Sequence, residues 1–506
     1  METHNYFRAA EEQFDAMKGF LQSSLSQKLD LSGLEDRPSN DGRELLRQLL
    51  LAHIAERHGG DMGPCVVGAD GSPRTHKRLR TRSIMTLFGS IPIQRVAYAM
   101  PHVSSLFPLD AMLNLPPINI SYTLQKHLIL EVVNTSFNEA LETLTRWTGI
   151  SITKEHAQQI VREAAQDFTS FYAARSARER PHTQPLPLLI LTTDGKGVLV
   201  KTDDLRKATR QKRLAQSNEP PGDPLDSTTR MYTRRMATVA SVYEIARFPR
   251  TADDIVGRFF DQDSRTAESR PHPQAKRLWA SVTHSSEAVI RAVFEDALRR
   301  DPQHKKEWVV LVDGDPHQIQ RIQTCASRCG VSVTIVCDIV HVLGYLWKAG
   351  AVLQRAKLVA PWVRDTLLRV LLGHSATVAA AMRGIATRRH LAPAVRKPLD
   401  VCARYLCNHA PYLDYRRYLK HGYPIATGVI EGACRYLVKD RMELTGARWR
   451  LEGAEAVLKL RAIKVSVDFT AYWKFYEQQQ YERIYKNRYQ DPSVLTKGRD
   501  DHCPLS

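Results

Sequence analysis

No stretch of the 506-residue chain approaches the run of about 18 to 20 apolar residues that a membrane helix needs, so a membrane-spanning role is not expected. The opening residues MetGluThrHisAsnTyrPhe lack both the basic-then-apolar pattern of an export signal and the Arg-rich bias of a transit peptide. A cytoplasmic protein is expected, nucleoid-associated if its partner is DNA. The eight cysteines have no CxxC spacing, which fits a reducing compartment better than a disulfide framework. Cys325-x3-Cys329 with Cys337 nearby lacks the second close Cys/His pair that a zinc site needs. No repeat at a solenoid period is visible. Acid is scarce relative to base, with 54 Asp and Glu against 72 Lys and Arg, a net charge of +18. That excess points to a polyanion, nucleic acid before an anionic membrane. Charged residues at 25% and apolar residues at 43% exclude disorder as a whole-chain class. The length itself implies roughly three domains.

Residues 1–120 read as helical at first, with apolar periodicity in PheArgAlaAlaGluGluGlnPheAspAlaMet and GluLeuLeuArgGlnLeuLeuLeuAlaHisIle. A basic β-hairpin follows. Arg74, Lys77, Arg78, Arg80 and Arg82 stand in an acid-free stretch ahead of ThrLeuPheGlySerIleProIle, a pattern suited either to phosphate contact or to a solvated basic loop. Residues 121–180 return to helical periodicity, broken at Gly149 and resumed after Thr153, as in a helix-turn-helix whose second helix reads base edges. Together these regions are expected to bind DNA.

After ProHisThrGlnProLeuPro the pattern changes to strands and helices, an α/β class, over 181–342. LeuLeuIleLeuThrThrAsp194, GlyLysGlyValLeuValLys and residues 235–245 predict a three-strand antiparallel meander, followed by helix to about 300. The polar loop between the second and third strands carries Arg206, Lys207, Arg210, Lys212 and Arg213, which suit DNA backbone. TrpValValLeuValAsp313, a helix, and ValThrIleValCysAsp338 predict a parallel crossover. Residues 343–422 read as an all-helical insertion, 423–475 as the end of the core carrying a helix with Glu431, and 476–506 as a C-terminal tail.

Asp194 and Asp313 each end an apolar strand in this reading, and Glu431 lies in a first helical turn. Taken singly, each is an ordinary turn or dipole-complementing acid. Taken together, neighbouring strands about 4.8 Å apart and a helix across their ends bring three hard oxygen ligands to one place. Such a cluster suits two Mg²⁺ or Mn²⁺ ions and an in-line displacement at phosphorus, which is phosphodiester hydrolysis and transesterification.

The blocks ThrThrAspGlyLysGlyVal (192–198), ValLeuValAspGlyAsp (310–315), AspIleValHisValLeuGlyTyrLeuTrpLysAla (338–349), TyrProIleAlaThrGlyValIleGluGlyAlaCysArgTyrLeuValLysAspArgMet (423–442) and GlyAlaArgTrp (446–449) resemble those of the ISKra-type insertion-sequence transposases. The resemblance implies a DDE transposase with a ribonuclease-H-like mixed-sheet catalytic core, interrupted by the helical insertion. It also implies metal-dependent cutting and joining of element ends. Asp194 and Glu431 carry over directly, while the middle acid lies among Asp313, Asp315 and Asp338, with Asp313 preferred. Asp338-x-x-His341 is similar to an element of Mutator-like and hAT-like relatives and is expected to support the site or touch the scissile strand.

Arg448 and Trp449 pair a cation with a stacking plane, which suits a splayed base or equally an anchored loop. Arg435 and Lys439 share the helix face of Glu431 and either contact DNA or screen the acid. The expected partners are double-stranded DNA, as terminal inverted repeats and target, and further copies of the chain, at least a homodimer on DNA. The reading from another class is a DNA-binding protein without catalysis.

Overall fold

The computed structural model describes residues 5–175, 186–205, 209–211, 234–261, 270–444 and 447–491. By its contacts the chain forms two units, Met1–Phe171 with Phe469–Ser506, and Tyr172–Asp468.

The first unit begins with helices α1 (Arg8–Leu21) and α2 (Leu31–Ala55), the latter capped by the Asp30 side chain on Gly33 N. Short strands β1 (Val66–Val67) and β2 (Pro73–Arg74) precede a three-stranded antiparallel sheet of β3 (His76–Thr86), β4 (Gly89–Met100) and β5 (Val103–Leu106). Alternation in β4 sends Ile91 and Ile93 into one cluster with Ile54, Ile84 and Leu109, and Val96 and Tyr98 into another. Helices α3 (Pro108–Met112), α4 (Tyr122–Val132), α5 (Phe137–Thr148) and α6 (Lys154–Ala164) follow. A capping box of Ser136 and Glu139 starts α5, Gly149 in the left-handed region ends it, and the Thr153 side chain caps α6. The unit boundary falls within α7 (Phe168–Ala174).

The second unit is built on a mixed sheet of β6 (Leu188–Leu199), β7 (Arg234–Ile245), β8 (Gln274–Ser281), β9 (Glu307–Val312) and β10 (Val333–Cys337), in the order β10-β9-β6-β7-β8. β6 runs parallel to β9 and β9 parallel to β10, while β6–β7 and β7–β8 are antiparallel. Leu188 to Leu191 and Val309 to Val312 are buried without alternation, as expected of strands covered on both faces. Between the strands lie α8 (Ala252–Phe260), α9 (Ser286–Arg300), which packs on β6 and β7, and α10 (Pro316–Cys329), the crossover from β9 to β10. The insertion comprises α11 (Ile339–Leu353), α12 (Ala356–Leu371), α13 (Ser375–Arg388) and α14 (Pro393–Asn408), followed by the short α15 (Tyr415–Lys420). Return to the sheet is through α16 (Gly428–Ala433), a π turn (Cys434–Lys439), α17 (Asp440–Met442) and α18 (Leu451–Val465), which packs along β8. No described helix is long and apolar enough to cross a membrane.

Three expectations are corrected. GlyLysGly is not a turn: β6 runs twelve residues through it, and Gly195 and Gly197 leave room for the Met236 and Arg234 side chains, which a Cβ would meet at 2.9 and 3.0 Å. Asp194 therefore sits within a strand, paired with Val239, rather than at its end. The stretch after β7 that was expected to be helical to about 300 holds α8 and α9 but also, between them, the strand β8. Its Arg277 looks like a surface residue in sequence but is buried, bonded to Asp296 and lying over the Tyr172 and Trp279 rings at 3.6 and 4.5 Å.

The expected tail is, through residue 491, part of the first unit's core. A final helix, α19 (Phe469–Tyr481), and a π turn (Glu482–Lys486) deliver Tyr481, Tyr485 and Tyr489 to the cluster holding Tyr98 and Val96. Tyr485 Oη donates to Leu115 O over 2.6 Å, and Gln490 N donates to Val67 O over 3.2 Å.

Candidate metal centre

The parallel register of β6 and β9 runs from Leu188↔Glu307 to Thr192↔Leu311, so Asp194 and Asp313 each stand two residues past its last pair. Gln318, in the first turns of α10, ties the two elements by donating to Thr193 O and Thr193 Oγ1, both at 2.8 Å. Asp194 Oδ2 accepts from the Cys434 thiol at 3.3 Å. Asp313 Oδ1 accepts from Asp315 N at 3.0 Å. Asp315 is the exposed N-cap of α10, bonded to His317 N, which is a structural use of that acid.

Asp338 follows β10 and caps α11 through Val340 N at 2.9 Å. Its carboxylate has no exposed surface, and its second oxygen receives the Thr427 hydroxyl and His341 Nδ1. Nδ1 of His341 is committed to Asp338, and the His341 side chain is about half exposed. Donor atoms of Asp338, His341 and Glu431 all lie within 4.8 Å of one another, the one group of this kind among the described residues. Glu431 is exposed on α16, while Thr427, one turn earlier, lies 3.5 Å from its Oε1.

The charges of the four acids act on three neighbouring groups. His341 is raised above the ordinary histidine range chiefly by its bond to Asp338, with the charges of Asp313 and Glu431 adding to it. Cys434 is raised chiefly by burial, then by Asp194, with Glu431 contributing. Burial pushes the Cys337 thiol up to about 12, with Asp313 and Asp338 adding to the rise.

The insertion grips the Asp313 loop. Tyr405 Oη donates to Asp313 O at 2.9 Å and His409 Nε2 donates to Gly314 O at 2.7 Å, both from the end of α14. Gly314 has φ +101°, and a Cβ there would meet Tyr405 at 2.8 Å. Thr427, Cys434, Tyr405 and His409 were not singled out from sequence. Thr427 and Cys434 lie within one helical turn of Glu431 and carried a signal, whereas the two α14 residues carried none.

The basic residues divide. Arg74 is 2% exposed, bonded to Asp70 and to Ser104 O, and Arg82 donates to Asn119 Oδ1 and to Pro116 O, Pro117 O and Ile118 O. Both hold the fold of the first unit rather than face a ligand. Lys77 pairs with Asp61, while Arg78 and Arg80 are exposed without a partner among the described residues. Arg206, Lys207, Lys212 and Arg213 lie outside the described residues, and Arg210 stands 4.0 Å from Asp203. Arg435 is exposed, 3.9 Å from Asp440, and Lys439 and Arg448 are exposed. Trp449 is not available for a base: it is buried, its Nε1 donates to Met442 O at 3.0 Å, and its backbone bonds to Leu199 and Lys201. No protein-family model matches the chain, and no curated protein matches it.

Proposed function

We propose that the second unit is a ribonuclease-H-like core and that the protein is a DDE-type transposase, cutting and joining the DNA ends of its own insertion sequence. The observation that carries this reading is the sheet order β10-β9-β6-β7-β8, with β6 parallel to β9 and an acid two residues past the parallel register on each strand. The charges of Asp313, Asp338 and Glu431 on His341, and of Asp194 and Glu431 on Cys434, support a single acidic site.

Asp194, Asp313 and Glu431 are the acids proposed to hold Mg²⁺ or Mn²⁺, as two ions, with Asp338 and His341 beside Glu431. Of these residues, Asp338, His341 and Glu431 bring donor atoms within 4.8 Å of one another, a mixed carboxylate and imidazole set that fits such cations, and Asp194 and Asp313 lie outside that group. The metal, when bound, supplies an activated oxygen nucleophile and neutralises charge on the departing oxygen. Asp338 accepts from His341 Nδ1–H, which presents the Nε2 lone pair of the neutral ring to a cation, whereas only the imidazolium form carries an Nε2–H that could donate to a phosphate oxygen of the scissile strand. The clamp of Tyr405 and His409 fixes the backbone that carries Asp313. The first unit, with Arg78 and Arg80 exposed on β3, binds terminal inverted repeats, and pairing of two ends calls for a dimer or larger assembly.

Purified full-length protein and a plasmid carrying the DNA that flanks its gene, with and without Mg²⁺ or Mn²⁺, test this. Metal-dependent cuts and joints at repeat ends, mapped by sequencing and lost in Asp194→Asn, Asp313→Asn and Glu431→Gln while binding persists, are expected. Cuts without joints would make the protein a nuclease, and binding without cuts a regulator.

A further inference from the structure

The positive charge of the chain is unevenly placed. Residues 343–422 contain fourteen Lys and Arg against three Asp and no Glu, so this one helical block carries most of the net charge of +18. Few of these bases are neutralised. Ion pairs tie Arg364 to Asp261, Arg396 to Asp400 and Arg417 to Asp414, whereas Lys348, Lys397 and Arg404 are exposed without an acidic partner among the described residues.

Two helices of the block end at the acids. α11 starts at Asp338 and His341, and α14 finishes at Tyr405 and His409 on the Asp313 loop. They run antiparallel, with Arg389 just before α14 donating to Leu353 O at the far end of α11. The Tyr345 and Tyr405 rings join them at 4.4 Å between centroids. Exposed residues recur at helical spacing on each: His341, Gly344 and Lys348 on α11, and Lys397, Val401 and Arg404 on α14. Because the helices are antiparallel, both stripes fall on the same side of the tyrosine contact. Lys348 lies about 10 Å along α11 from His341, the axial rise of about three base-pair steps.

We infer that the exposed faces of α11 and α14 form a DNA-backbone track leading away from the acidic site, with Lys348, Lys397 and Arg404 as its phosphate contacts. The inference rests on the proposed function for its choice of polyanion, and adds where the duplex lies beyond the point of cutting. Net positive charge, absence of acid on the stripes and their common origin at the site argue for duplex DNA as the occupant. Gly344 leaves open space, so a backbone can approach α11 there.

The test uses full-length protein, a labelled 30-base-pair duplex and fluorescence anisotropy across a salt series. The variant Lys348→Ala/Lys397→Ala/Arg404→Ala is compared with Arg291→Ala/Arg299→Ala/Arg328→Ala, which removes equal charge from α9 and α10. The first is expected to weaken binding at least tenfold and to flatten the slope of log K against log salt by about 2.7, with the second near wild type. Unchanged unfolding temperatures exclude misfolding as the cause. Equal losses in both variants, or none in the first, would overturn the track. Cleavage is read in parallel: loss of binding in the first variant, with no metal-dependent cutting by wild type, would sink the proposed activity and leave the track standing.

Discussion

The Tyr405 hydroxyl donates to the main-chain oxygen of Asp313 over 2.9 Å, so a side chain of the helical insertion holds the backbone of a proposed metal-binding acid. The insertion is thereby part of the site's framework, together with His409 on Gly314.

Tyr405→Phe removes the hydroxyl's bond to Asp313 O, and its contact with the Cys337 thiol, while keeping the ring on Tyr345. It should cost about 1 kcal/mol of stability, read by denaturant unfolding. It should also raise the Mg²⁺ concentration needed for half-maximal cleavage. A shifted stability with an unmoved metal midpoint would reduce the clamp to a packing contact. Gly314→Ala should be worse on both counts, because its φ of +101° and the approach of Tyr405 leave no place for a methyl group.

Arg74 and the pair Arg78 and Arg80 should respond in opposite ways. Arg74→Ala strands the carbonyl of Ser104 and the Asp70 carboxylate, and should lower the stability of the first unit by more than about 1 kcal/mol. Arg78→Ala/Arg80→Ala should leave unfolding within about 0.5 kcal/mol of wild type and weaken end binding. Calorimetry beside a mobility-shift titration separates the two, and identical behaviour would refute the division.

Trp449→Ala should destabilise by about 3 to 5 kcal/mol, the cost of emptying a large buried site. The buried Arg441 guanidinium, 4.8 Å from its ring, would lose that face as well. If the variant instead unfolds like wild type and loses only DNA affinity, the buried-anchor assignment is wrong.

Glu307, at the start of β9, is held below the usual carboxylate range first by its bond from Arg247 and further by the Tyr423 hydroxyl. Because its folded value is depressed, this contribution is present above about pH 4.3, the unfolded value, and disappears as pH falls through the folded one. Partial exposure and solvent screening keep the effect small. Melting temperatures between pH 6 and pH 3 should therefore fall less steeply for Glu307→Gln than for wild type, and parallel curves would count against the linkage.

The apolar runs leading to Asp194, Asp313 and Asp338 were legible as strands because short runs rich in Leu, Ile and Val suit doubly covered strands. β8 was not, since its Arg277 counts as polar in any pattern and becomes a core residue only through Asp296 and two aromatic faces far away in sequence. GlyLysGly mimics a turn, and only the opposing Met236 and Arg234 explain glycine inside a strand. The segment from 476 was read as a tail because the partner of Tyr481, Tyr485 and Tyr489, Tyr98, stands hundreds of residues earlier. Of the site, the acids were readable one by one. Asp338's closeness to Glu431 was not, because it depends on Thr427 and on where the chain re-enters after the insertion.

The π turn Cys434–Lys439 has a consequence for length rather than composition. Such a turn accommodates one residue more than an α-helix would over the same rise. Upstream of it Glu431 stands beside Asp338 and His341, and downstream Arg441 and Met442 are locked in the interior. Rewinding the same residues 434–439 as ordinary α-helix would rotate one end against the other by about 100°. The segment thus acts as a vernier, its surplus residue setting the angle at which the carboxylate meets its neighbours.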